Sequence, residues 1–324
     1  IKPLGFPWVT QDPFLFCVFH EDAYPKGDGQ LAPAASLEGR NLGQDFVYKD
    51  GWNMYHGAKL PGFPAHPHRG FETITLVNQG WVDHADSLGG EGRYADGDVQ
   101  WMTAGKGLQH SEMFPLMHED KENPLELFQI WLNLPAKSKL VEPHYKMLWS
   151  EAIPQVHEPG LKIKMIAGKL GEQSALAPPP DSWAADDSNQ VAILSIELAA
   201  NRQWTLPACD SGVNRSLYFF KGSQLNIAGK VIEHACVIEL GHQAVTLNSG
   251  EQPVTLLLLQ GRPINEPIAQ MGPFVMNTQE ELRQTVQDYQ QDQFGGWSWT
   301  SKEPNHGAYV GRYARYLDGK DETP

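Results

Sequence analysis

Two short polar motifs interrupt stretches that otherwise read as strands, and they limit the possible folds more than any other feature of the chain. They are Ala65-His66-Pro67-His68-Arg69-Gly70-Phe71-Glu72 and Gly105-Lys106-Gly107-Leu108-Gln109-His110-Ser111-Glu112. In an extended strand, side chains at i and i+2 share a face, so His66 projects with His68, and His110 with Glu112. Two such pairs on facing strands make a four-ligand cage. Neutral imidazoles with one carboxylate suit a borderline divalent metal that keeps an open position, Fe(II) first and Mn, Ni, Cu or Zn as competitors. A lone His-x-His is commonly surface decoration, and twelve histidines guarantee some chance spacing. The second pair changes that balance. Strand-forming residues flank both, in Glu72-Thr73-Ile74-Thr75-Leu76-Val77 and Val99-Gln100-Trp101-Met102-Thr103, and ionisable groups on such a face are costly to bury without a shared cation. Glu72, four residues after His68, faces the same way by period two, so five side chains compete for four positions.

The wording around these motifs closely resembles the pirin family of cupin proteins. It runs through Phe63-Pro64-Ala65-His66-Pro67-His68-Arg69-Gly70-Phe71-Glu72-Thr73, Gly97-Asp98-Val99-Gln100-Trp101-Met102-Thr103-Ala104-Gly105 and His110-Ser111-Glu112-Met113. It continues in Phe128-Gln129-Ile130-Trp131-Leu132-Asn133-Leu134-Pro135-Ala136-Lys137 and Gly272-Pro273-Phe274-Val275-Met276-Asn277-Thr278. The general cupin pattern would choose Glu72 as the acidic ligand. The pirin pattern chooses otherwise, and implies a metal held by His66, His68, His110 and Glu112, with Glu72 beside them to orient a ligand imidazole. It further implies an all-β bicupin: two antiparallel β-sandwich, or jelly-roll, domains followed by a C-terminal helix.

The residues support that architecture independently. Between Asp45 and Leu134, short strands alternate with turns such as Asn78-Gln79-Gly80 and Ala95-Asp96-Gly97, as in antiparallel sandwiches and barrels. Glycines at 105 and 107 leave room for a tight backbone approach before His110. After the connector Pro135–His144, strand patterns resume at Leu161–Ile166 and recur to Leu259, across a proline- and aspartate-rich surface loop at 175–188. The expected division is a metal-binding domain at 1–138, a second cupin without a metal site at 139–265, and a helix with tail at 266–324 that packs back on the body. Matching Gly222 to Gly80 sets Ala208 and Asp210 opposite His66 and His68, and Asn214 opposite Glu72, which leaves one metal per chain and makes His234 and His242 surface or structural residues. Thr278 and Glu281 form a capping box for a helix whose Leu282, Val286 and Tyr289 make an apolar stripe. The aromatic tail beyond Gly295, longer than the family leads one to expect, should dock on the body or on a neighbouring subunit, with its last residues frayed.

The chain departs from the family near its start, where Phe16-Cys17-Val18-Phe19-His20-Glu21-Asp22 replaces the usual segment. Adjacent strand residues point to opposite faces, so His20, Glu21 and Asp22 read as a solvated rim. Arg69 is expected to pair with a carboxylate. Phe63, Trp101, Met102 and Phe114 are candidates for lining a pocket.

With 324 residues, 41% of them apolar, the chain can bury a substantial core. A net charge of −14 without a basic run argues against direct nucleic-acid binding. Three scattered cysteines, no secretory leader pattern and no long apolar run lead to the expectation of a cytoplasmic protein that does not enter membranes. The family resemblance implies a monomer that acts as a flavonol (quercetin) 2,3-dioxygenase, using O2 to open the ring of a small aromatic substrate chelated through adjacent oxygens. Glu112, as a ligand carboxylate in reach, is the nearest base for the substrate's hydroxyl proton. The alternative that it implies is a non-enzymatic, redox-sensitive iron protein that regulates a protein partner.

Overall fold

The computed structural model describes residues 1–324, and its strands fall on the alternating apolar runs of the sequence. The chain forms two compact units. One comprises residues 19–129, 136–151 and 266–324, and the other 1–18, 130–135 and 152–265. This differs from the expected boundaries for reasons of strand pairing. Lys2–Pro3 adds to the edge strand Cys236–Leu240, and Trp8 stacks on Tyr218 at 5.1 Å, which places the N-terminus with the later residues. Conversely, His144–Leu148 pairs along Val99–Thr103, which keeps the connector with the first unit.

In the unit that carries the two motifs, the key sheet runs, in spatial order, Asp321–Glu322, Tyr313–Arg315, Glu91–Ala95, Trp81–Asp86, Leu108–Met113, Gly62–His68. A second sheet has the order His144–Leu148, Val99–Thr103, Phe71–Gln79, followed by residues 123–129 and residues 19–24 of the next two strands. The unit's apolar core gathers Val77, Val82, Tyr94, Phe114, Leu125 and Met147.

The other unit is a sandwich of a seven-stranded and a four-stranded antiparallel sheet. Its interior is aliphatic, with Ile163, Leu194, Leu217, Leu247, Leu256 and Leu258 all shielded from solvent. His234 and His242 lie exposed on its surface. Asp210 is also exposed and pairs with Arg262, while Asn214 donates to the Asp12 carbonyl.

The helix forms where its cap predicts, over Gln279–Asp292, with both halves of the Thr278–Glu281 capping box made. Leu282 is buried against Ala269, Phe274, Met276 and Phe294, and Val286 and Tyr289 pack beside it. No helix is long and apolar enough to cross a membrane. The tail docks on its own unit. Its last residues, expected to fray, instead pair as Asp321–Glu322 with Tyr313–Arg315, which in turn pairs with Glu91–Arg93.

Candidate metal centre

The strands Gly62–His68 and Leu108–Met113 are hydrogen-bonded neighbours in one antiparallel sheet, with His66 directly across from His110. The sequence suggested facing strands; the observed arrangement is adjacent strands of a single sheet, whose cross-strand partners share a face and stand closer. An irregularity between Phe63 and His66 resets the register just before the first histidine. Gly105 and Gly107 have φ of +49° and +123°, and a Cβ there would meet the Val141 carbonyl at 2.1 Å and the Phe294 ring at 2.7 Å. The close approach inferred from these glycines is therefore real.

His66, His68 and His110 converge, and their nearest ring nitrogens all lie within 4.8 Å of one another. Ring centroids are 4.5 Å apart for His66 and His110, and 4.8 Å for His66 and His68. The carbonyl of Pro64 can only accept, so the 2.8 Å contact to His66 Nδ1 places the proton there and leaves Nε2 with its lone pair. Burial pushes the His66 imidazole down to about 4, and burial together with histidine neighbours pushes His68 and His110 well below the usual range. All three are neutral at pH 7, the form in which imidazole binds metal. His110 is fully buried, and neither ring nitrogen has a hydrogen-bond partner. A buried imidazole with both nitrogens unpaired, set between two more, has the chemistry of a metal-binding donor set. These residues fit a divalent ion.

Glu112 lies beside this trio. Its Oε2 is 4.0 Å from His110 Nε2. Its carboxylate accepts from Thr75 at 2.6 Å, Tyr94 at 3.3 Å and Gln129 at 2.7 Å, while burial raises its pKa. Glu72 is fully buried and accepts from Thr103 at 2.7 Å. Arg69 pairs with Asp288 of the C-terminal helix at 2.6 Å, in keeping with its expected carboxylate partnership. Of the four pocket candidates, Phe63 has its ring 6.4 Å from that of His66, and Phe114 lies 6.1 Å from Phe63. Trp101 and Met102 are wholly buried in the core.

A model of the pirin family matches residues 31–132, and one of the pirin C-terminal cupin domain matches residues 193–295. The chain belongs to the pirin family. A pirin-like protein of Solanum lycopersicum is 34% identical over 275 residues, 83% of this chain and 88% of its own length. Pirin-1 of Arabidopsis thaliana is 37% identical over 236 residues, 71% of this chain and 77% of its own. Among solved structures, a quercetin 2,3-dioxygenase from Acinetobacter baumannii superposes with a TM-score of 0.70 at 28% identity, covering 88% of this chain and 86% of that one.

Within this pirin, several residues that shape the site carry no motif of their own. His84, on the next strand, pairs in register with Glu112, places its ring 5.6 Å from that of His110, stacks on Tyr145 and contacts Asp86 at 3.3 Å. Its i, i+2 spacing to Asp86 was the one signal that could have pointed to it. Tyr94 in the same sheet, and Thr75 and Gln129 from the other sheet, become partners of Glu112 only in the folded unit. His20 and Asp22 correct the expected solvated rim: both are buried, and only Glu21 points to solvent. The alternation holds, but the face that carries His20 and Asp22 turns inward.

Proposed function

We propose that this pirin is a metal-dependent dioxygenase of the quercetin 2,3-dioxygenase type, with Fe(II) bound by His66, His68, His110 and Glu112. The observation that carries the reading is the fully buried, hydrogen-bond-orphaned His110 between two neutral imidazoles. The likeness to a structure named as a quercetin 2,3-dioxygenase gives the reaction class. When bound, the metal supplies Lewis acidity and a redox centre for O2 chemistry at a substrate chelated through adjacent oxygens. The chain's own residues do the rest. Pro64 holds His66 through Nδ1, which keeps the Nε2 lone pair available for a metal. Phe63 offers an aromatic flank beside His66 for a flat substrate. Glu112 is the nearest base to a substrate hydroxyl, and Thr75, Tyr94 and Gln129 stabilise and aim its carboxylate.

The test is anaerobic reconstitution with Fe(II), then oxygen uptake and loss of flavonol absorbance on adding quercetin, with His66→Ala in parallel. Uptake that depends on His66 is the expected result. Stoichiometric bound metal with no uptake would overturn the reading in favour of an iron-dependent regulator.

A further inference from the structure

The segment in which this chain departs from its family closes onto the flank of the metal centre. Tyr55 is buried, yet its backbone has φ of 56°, a left-handed conformation that a bulky side chain adopts only under constraint. Its backbone is held by a reciprocal pair of hydrogen bonds with Asp45, at 2.8 and 3.1 Å, and its hydroxyl donates to Asp22 Oδ2 at 2.7 Å. While Asp22 is ionised that proton is committed to it, and the 2.8 Å contact to His20 Nδ1 runs the other way, from His20 to the tyrosine oxygen. Asp22 is further fixed by the Asn53 backbone N–H at 2.8 Å. Burial keeps His20 neutral, with its pKa pushed down to about 4, which suits a single-proton donor in such a chain.

The clamped ring is laid on Phe63, with centroids 5.2 Å apart and planes at 25°, and Phe63 in turn neighbours His66. Outward, Phe46 lies 5.5 Å from Tyr55 and is 43% exposed. His56 bridges Phe46 at 5.0 Å to Phe63 at 5.8 Å. Aromatic rings therefore run without a break from the surface to the first histidine.

We propose that Tyr55, clamped by His20 and Asp22, is the positioning residue that holds Phe63 as a stacking wall and so makes the site select flat aromatic chelators over aliphatic ones. The proposal rests on the metal-site reading above and adds to it the residues that set substrate shape. Stacked aromatic pairs gain from offset overlap, and that gain is lost when one ring tilts.

The experiment uses the full chain loaded with zinc, which binds chelators without turning them over. Dissociation constants are measured for quercetin, by its absorbance shift, and for acetohydroxamate, an aliphatic chelator. Tyr55→Leu should weaken quercetin about tenfold while leaving acetohydroxamate within about twofold and zinc at about one per chain. Tyr55→Phe and Asp22→Asn, which keep the ring but release the clamp, should each weaken quercetin about threefold. Phe46→Leu, at a half-exposed position outside the clamp, should shift the ratio in the same direction. Equal loss of both chelators, or no change in their ratio, would overturn the wall. Tight quercetin binding by the zinc form with no oxygen uptake by the iron form strikes only the dioxygenase reading. Oxygen uptake with an unchanged ratio in Tyr55→Leu strikes only the wall.

Discussion

The two units of this pirin both build antiparallel strands around an apolar core, and only one adds a buried histidine cluster to it. In one, His68, His84, His110 and Glu112 are buried next to Thr75 and Tyr94, with His66 and Gln129 half-buried beside them; in the other, the interior is leucines, isoleucines and valines. The fold thus provides an enclosure in both cases, and the strand faces decide its use. An aliphatic interior is stabilised by burial alone. A polar interior must satisfy each group, and His110 shows where protein partners run out.

Substituting one histidine from each unit tests this contrast most directly. His110→Ala should drop bound metal from about one per chain to near zero, measured by elemental analysis after dialysis, whereas His234→Ala should leave it unchanged. Metal retained in His110→Ala, or lost in His234→Ala, would place the ion elsewhere. Next in size is the aliphatic interior. Leu256→Ala removes a fully buried side chain and should cost about 2–5 kcal/mol in urea unfolding, without altering metal stoichiometry.

The smallest expected effect is an acid sensitivity confined to the histidine-lined interior. Burial holds His66 at about 4 against an unfolded value near 6.5, so between those values the unfolded chain binds more protons and stability falls as pH drops. Metal-free His66→Gln should therefore gain on the parent chain as pH is lowered from about 7 to about 5. Asp22, raised by burial to about 7, has the opposite slope, losing stability as pH rises toward 7. The difference between variant and parent isolates His66 from it. A constant difference across that range would show that His66 is not held neutral by the fold.

Much of this was legible from residue types alone. The i, i+2 spacing of His66 and His68 placed both on one face, the capping box of Thr278 and Glu281 located the helix start, and the turn glycines marked strand ends, because each depends on local backbone geometry. What stayed illegible depends on which strands become neighbours. Glu112 could be told from Glu72 only by family wording, because period two gives both a place beside the histidines. The burial of His20 and Asp22 required Tyr55 to arrive from a distant turn, and no local pattern announces that pairing.

Residue order was therefore enough for the strands, their alternation, the helix with its cap, and the residue types able to hold a metal, since all of these follow from short-range periodicity and side-chain chemistry. It took the folded chain to make the two motifs adjacent strands of one sheet, to gather Thr75, Tyr94 and Gln129 on Glu112, and to extend the same sheet with the tail. Strand order and register are set by the closure of whole sheets over a core, a long-range choice that no window of sequence contains.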